Sequence, residues 1–161
     1  MDDHSSDFAA LVERFLGAIE TGNLATKSGL SEVARHLAAL YAAAMDFPNL
    51  KPEGADDVRD QWDERHAGLR ASVAKLPVGF YWEVFDPLEA MGADKPPECS
   101  VGDLADDLLD VSRDLSAGLD MWNAEYSGDA VEHWRLLFPH WGQHATGALR
   151  TIHAYLTKYD A

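Results

Sequence analysis

The sequence predicts an all-α fold, an antiparallel bundle of about five helices with an aromatic-rich connection at 79–99. Three observations predict it. Apolar residues recur at i, i+3, i+4 and i+7 through most of the chain, the spacing of a helix with one buried face. The breaks in that periodicity carry helix stop signals, at Gly22, Pro48, Pro77 and Gly128. No internal repeat, low-complexity tract or interdomain linker interrupts the series, so residues 1–161 read as one domain, with 1–6 expected to be disordered. At 161 residues and 47% apolar content, a chain of this size buries roughly 70% of its unfolded surface.

Each element has its own justification. Phe8, Leu11, Val12, Phe15 and Ile19 form the stripe of a first helix, with Ser6 or Asp7 as cap and Gly22 as stop. Val33, Leu37, Leu40, Tyr41 and Ala44 repeat the pattern, with Ser28 or Ser31 as cap. Val58, Trp62, Leu69, Val73 and Leu76 make a third helix, with Asp56 and Asp57 suited to the positive end of its dipole. Residues 79–85 are aromatic enough for a strand, but Asp86-Pro87-Leu88-Glu89 has the form of a helix start. The segment is therefore expected to pack on the bundle, its aromatics buried, and to turn helically as far as Met91-Gly92. Residues 94–98 are expected as loop. Ser100 and Asp103 open a fourth helix with the stripe Leu104, Leu108, Val111, Leu115 and Trp122, ending near 126–128. Asp129 and Glu132 read as a capping box for the last helix, 130–158, one helix kinked at Pro139 but not ended there, because the stripe from Trp134 to Leu156 keeps its phase. Trp62, Trp122, Trp134 and Trp141 all fall on these core stripes.

Charge and cysteine content limit the function classes. The net charge is −15, and residues 83–132 hold fourteen acids against Lys95 and Arg113. Nucleic acids and anionic membranes demand clustered Lys and Arg, so neither is expected as a partner. A basic protein partner, a cation or simple solubility fits better. No apolar run reaches the 18 or so residues of a membrane span, and the acidic N-terminus lacks the form of a signal peptide. A lone cysteine, Cys99, points to a reducing, cytoplasmic setting. There is no phosphate-binding glycine loop, nucleophile elbow or CxxC pair.

Two polar stripes carry what chemistry the chain offers. His140 and His144, at i and i+4, have the spacing with which two imidazoles grip one metal ion; His133 lies about 10 Å further along the same face. Asp103, Asp107, Asp110 and Asp114 share one face of the preceding helix with no cation placed to pair with them. Like charges at that spacing cost about 0.2–0.5 kcal/mol per pair, on the order of 1 kcal/mol for three pairs. Consecutive helices joined by a short turn pack antiparallel, which brings Asp110 and Asp114 towards His140 and His144. A divalent metal site, a general-base pair and plain interhelical ion pairs all remain open at this level; oxygen–nitrogen contacts under about 3.2 Å would mark direct pairs. No cofactor is otherwise implied. Trp82, beside the acidic segment, completes a candidate partner-binding surface with the four aspartates.

Three stretches carry a resemblance: Tyr81-Trp82-Glu83-Val84-Phe85-Asp86-Pro87-Leu88, then Gly102–Asp110 with Arg113-Asp114-Leu115, then His140-Trp141-Gly142-Gln143-His144 with Ala148-Leu149-Arg150. Together they resemble an uncharacterised bacterial family of small, acidic, soluble proteins, a domain of unknown function. The likeness covers about the second half of the chain and implies a bacterial origin and no activity. The expectation is a cytoplasmic interaction protein, monomer or homodimer, that binds a basic protein partner. The alternative is a metal-binding bundle, even a metal-dependent hydrolase, using His140 and His144 with Asp110 or Asp114.

Overall fold

The computed structural model describes residues 3–48, 51–55, 58, 61–84, 88 and 98–158. Five helices and one short hairpin follow in order: α1 (Asp3–Thr21), α2 (Lys27–Ala44), α3 (Trp62–Val73), β1 (Phe80–Val84), β2 (Cys99–Asp103), α4 (Leu104–Asn123) and α5 (Ser127–Lys158). The predicted all-α bundle is what forms, with the two strands as its only sheet among the described residues. Its core is built from the apolar stripes: Phe8, Phe15 and Ile19 of α1, Leu37 and Leu40 of α2, Leu108, Val111 and Leu115 of α4, and Trp134, Trp141 and Ile152 of α5. Trp134 and Trp141 are fully buried, while Trp62 and Trp122 are partly buried against the same core.

Several boundaries differ from expectation, each for a local reason. α1 begins at Asp3, so residues 3–6 are helical rather than disordered; Ser5 is buried there, and His4 Nε2 lies 3.1 Å from the Ala43 carbonyl. The cap of α2 is Thr26, neither Ser28 nor Ser31. Thr26 is extended (φ −112°, ψ 150°), and its Oγ1 accepts from the Gly29 N–H at 3.1 Å. α3 starts at Trp62, after Val58, with Asp63 and Glu64 in its first turn; Asp56 and Asp57 lie outside the described residues.

The aromatic segment is a strand. β1 pairs antiparallel with β2 in the register Phe80↔Asp103, Tyr81↔Gly102, Trp82↔Val101, Glu83↔Ser100 and Val84↔Cys99. Ser100 is thus part of a strand, and Asp103 alone caps α4, accepting from the Ala105 N–H at 2.9 Å. Residues opposite each other in a register share a face. Phe80, Trp82 and Val101 therefore stand together on the outer side, 74%, 75% and 59% exposed, where burial of the aromatics was expected. Tyr81 points the other way, to the bundle. The expected helical turn from Asp86 to Met91 and the loop at 94–98 lie almost wholly outside the described residues.

α4 and α5 pack on each other more extensively than any other pair of elements. They run antiparallel: Trp134 donates its indole N–H to the Leu115 carbonyl at 3.0 Å, while His144, further along α5, meets Asp107, further back on α4. Gly118 makes this approach possible, because a methyl group there would overlap the Trp134 indole. α5 passes through Pro139, as the phase of its stripe predicts, with the proline ring in solvent. The capping box at its start does not form. Glu132 pairs instead with Arg135 at 2.7 Å. Asp129 reaches across to residues 53–55 and accepts from the backbone N–H groups of Glu53 (2.6 Å), Gly54 and Ala55 (both 3.1 Å). Partial desolvation pushes the Asp129 carboxyl up, but these donors outweigh it and hold the carboxyl below its ordinary range.

Candidate functional site

The α4–α5 seam gathers the two polar stripes. Asp107 sits one turn into α4 and Asp114 two turns further on, both on the edge of the core stripe, which turns them towards α5. His140 and His144 lie on the matching edge of α5. His144 Nδ1 is 2.8 Å from Asp107 Oδ1, and His140 Nδ1 is 2.7 Å from Asp114 Oδ2. Both contacts are direct, well inside the distance that separates an ion pair from a bridged gap. His133 also belongs to the seam, with Nε2 3.0 Å from the Asp114 backbone carbonyl. The repulsion along the aspartate face is thus met by imidazoles of the next helix.

The four aspartates have separate fates. Asp103 is a helix cap. Asp107 is 6% exposed and fully engaged, Asp114 faces His140, and only Asp110 keeps much of its carboxylate in solvent, with Oδ2 3.6 Å from His144 Nε2. Trp82, the remaining candidate, is on the hairpin's outer face.

Tyr81 completes a network that the sequence did not reveal. Its hydroxyl donates to Asp107 Oδ2 at 2.6 Å, so one buried carboxylate accepts from the hairpin through one oxygen and from α5 through the other. Two glycines make room. A methyl at Gly102 would overlap the Tyr81 ring, and one at Gly147 would overlap its hydroxyl. Arg150, one turn past Gly147, holds its guanidinium 5.7 Å from the centre of the Tyr81 ring and donates to the Trp82 carbonyl at 3.2 Å. The signals were present in the sequence as Gly102, beside the α4 cap, and Gly147, inside an otherwise helical stripe; without the hairpin register neither names Tyr81.

The electrostatics follow from the geometry. The Asp107 carboxylate accepting from His144 Nδ1 raises the imidazole above its ordinary value, and partial burial opposes this without cancelling it. Burial, then the same carboxylate, pushes the Tyr81 phenol far up, so Tyr81 remains a donor throughout the physiological range. A carboxylate on Nδ1 leaves Nε2 of His140 and of His144 as the outward nitrogens, the arrangement by which a carboxylate behind an imidazole orients it towards a metal ion. The 3.6 Å between His144 Nε2 and Asp110 Oδ2 is close to the roughly 3.4 Å between two donors on one tetrahedral ion. Among the described residues, however, no three such donors converge as they stand.

A second polar cluster lies beneath α4. The Asp120 side chain is buried, 3.0 Å from Arg65 Nη2, and its Oδ2 accepts from the Gln61 N–H at 3.1 Å. This cluster fixes the start of α3.

Comparison with known proteins adds the fold and a family. Residues 1–158 match the family described as a domain of unknown function, DUF5063. The crystal structure of protein BF1032 from Bacteroides fragilis is similar over 98% of this chain and 97% of that one, at 19% identity and a TM-score of 0.72. At that identity the likeness concerns the fold. No functionally curated protein matches the chain.

Proposed function

The chain belongs to the DUF5063 family of unknown function, and from that premise we propose, on the geometry alone, that it is an interaction protein whose contact surface is the outer face of the β1–β2 hairpin. One observation carries this reading: Phe80, Trp82 and Val101 stand side by side and largely exposed on one face. Large aromatics left in water on a pinned two-stranded ribbon are what an interface uses as its buried centre. The occupant is a basic protein segment. Asp103 shares the face, Glu98 abuts β2 and exposed Asp106 lies in the first turn of α4, within a stretch of the chain that carries fourteen acids against two cations. Asp107 and Asp114 serve this surface indirectly, by anchoring the seam behind Tyr81, while Asp110 adds to the field. A reducing, cytoplasmic setting agrees with the single exposed cysteine, and no described helix is long and apolar enough to cross a membrane.

The test is capture of the native partner, identified by mass spectrometry, with wild type and with the Phe80→Ala/Trp82→Ala double variant. An aromatic hot spot is worth about 2 kcal/mol or more, so the double variant is expected to lose at least roughly thirtyfold in affinity. Raising salt to about 0.5 M, where screening acts within roughly 4–5 Å, is expected to weaken the complex further. A partner held equally by the double variant, at low and high salt alike, would sink the reading.

A second reading rests on the carboxylate-oriented imidazoles. In it, His140 and His144 turn their Nε2 atoms, with Asp110 as third donor and one position left to water, onto a divalent metal ion whose binding draws the three together, the kind of site found inside helical bundles and open enough for metal-assisted hydrolysis. Elemental analysis of protein prepared without a metal-affinity column decides it. Zinc, manganese, iron or nickel at stoichiometric level, lost in His144→Gln, supports the site. Absence of all four, with no thermal shift on adding them, removes it.

A further inference from the structure

A cleft of about 300 Å³ opens where the hairpin meets the last two turns of α5. Its walls are apolar and aromatic: Val78 before β1, Trp82, and Ala154 with Tyr155 on α5. The charge of its lining runs against that of the chain. In a protein of net charge −15, this cleft is lined by Arg150 and Lys158 and by no Asp or Glu among the described residues. The two basic residues are eight positions apart, roughly 12 Å along the helix.

Arg150 is held in place. Its donation to the Trp82 carbonyl and its position over the Tyr81 ring fix the guanidinium beside the cleft. A guanidinium committed through one nitrogen keeps further N–H donors in a planar fork that matches a carboxylate. Thr151, beside it in the lining, is 6% exposed, and its Oγ1 has no hydrogen-bond partner among the described residues. A buried hydroxyl without a partner is uncommon. Threonine in a helix divides between two χ1 rotamers, and exchanging them swaps the methyl and hydroxyl positions.

We propose that this cleft binds a small amphipathic monocarboxylate, its flat apolar body between Trp82 and Tyr155 and its carboxylate accepting hydrogen bonds from Arg150 and the Thr151 hydroxyl. The volume is at the lower end of the range of small-molecule sites, which fits a bicyclic body better than a long chain. The inference shares Trp82 with the interaction surface but otherwise uses the end of α5, and a partner on Phe80 and Val101 is not needed for it.

The experiment compares 1-naphthaleneacetate with its neutral amide by titration followed through the backbone amides of residues 150–158 and the Trp82 indole. A body of this size is expected to bind at about 1 mM. The acid is expected to bind at least roughly tenfold tighter than the amide. Arg150→Gln should abolish that ratio, and Thr151→Val should reduce it. Ala154→Leu, at an exposed helical position in the cleft wall, occupies the space of the apolar body and should weaken acid and amide alike. Equal binding of acid and amide, shifts located away from Trp82 and 150–158, or no binding by either probe up to about 5 mM would overturn the proposal.

Discussion

Tyr81→Phe isolates the bond on which the hairpin's placement rests. The substitution removes the one oxygen that Gly147 accommodates and leaves the ring, its contact with Gly102 and the Arg150 interaction in place. What is lost is a donor 2.6 Å from Oδ2 of a carboxylate that is 6% exposed. Hydrogen bonds to a charged group contribute about 1.5–3 kcal/mol, and an abandoned buried acceptor sits in the upper part of that range. Asp107 keeps His144 on its other oxygen, and Tyr81 is only half-buried, so water can replace part of the bond. The expected loss is about 2 kcal/mol, or roughly 4–8 °C in Tm for a chain of this length. Tyr41→Phe is the control, because the Tyr41 ring packs on Phe138 at 5.2 Å with no carboxylate partner among the described residues; it should stay within about 0.5 kcal/mol. Urea unfolding gives the energies, and an imidazole-resolved NMR titration gives a second readout. With Tyr81 no longer sharing the Asp107 charge, the pKa of His144 should rise further. Stability within about 0.5 kcal/mol of wild type, together with an unmoved His144 titration, would refute the network.

Four further outcomes follow from the same geometry. His144 has a raised folded-state pKa, so its contribution is complete below the unfolded value of about 6.5 and is lost as pH rises through the folded value; His144→Gln should flatten that part of the stability–pH curve. Gly118→Ala forces a methyl into the Trp134 indole and should cost about 1–3 kcal/mol in urea unfolding, whereas Gly17→Ala, with open space around it and a helical environment, should stabilise by roughly 0.5–1 kcal/mol. Asp120→Ala leaves the partly buried Arg65 without its ion partner and should destabilise by about 3–5 kcal/mol, read by thermal unfolding. Asp129 has a depressed pKa, so its hold on residues 53–55 is present at neutral pH and lost as pH falls through its folded value. Asp129→Ala should therefore speed amide exchange at Gly54 and Ala55 at neutral pH, with little difference from wild type in strong acid.

The helices were legible because their signal is periodic and local. Phe8 to Ile19, Leu104 to Leu115 and Trp134 to Ile152 each repeat at the spacing of one buried face, and burial follows that spacing. The antiparallel meeting of the aspartate and histidine stripes was also legible, because α4 and α5 are consecutive and closely joined. Pairings over long sequence distances were not. Asp129 has the form of a helix cap, and only the fold brings residues 53–55 to its carboxylate. Phe80-Tyr81-Trp82 reads as uniformly apolar, and only the register with Val101 and Gly102 separates the inward Tyr81 from the outward Trp82.

The sequence by itself determined the bundle, its core and the two facing polar stripes, because helix periodicity and chain order are carried by neighbours within a few turns. Tertiary structure alone decided that Asp107 is shared between Tyr81 and His144, that Phe80 and Trp82 face water, and that Arg150 lines a cleft. Each of these depends on where a two-stranded ribbon lands on the α4–α5 seam. That landing is set by two positions without side chains, Gly102 and Gly147, whose effect on Tyr81 appears only once three distant segments meet.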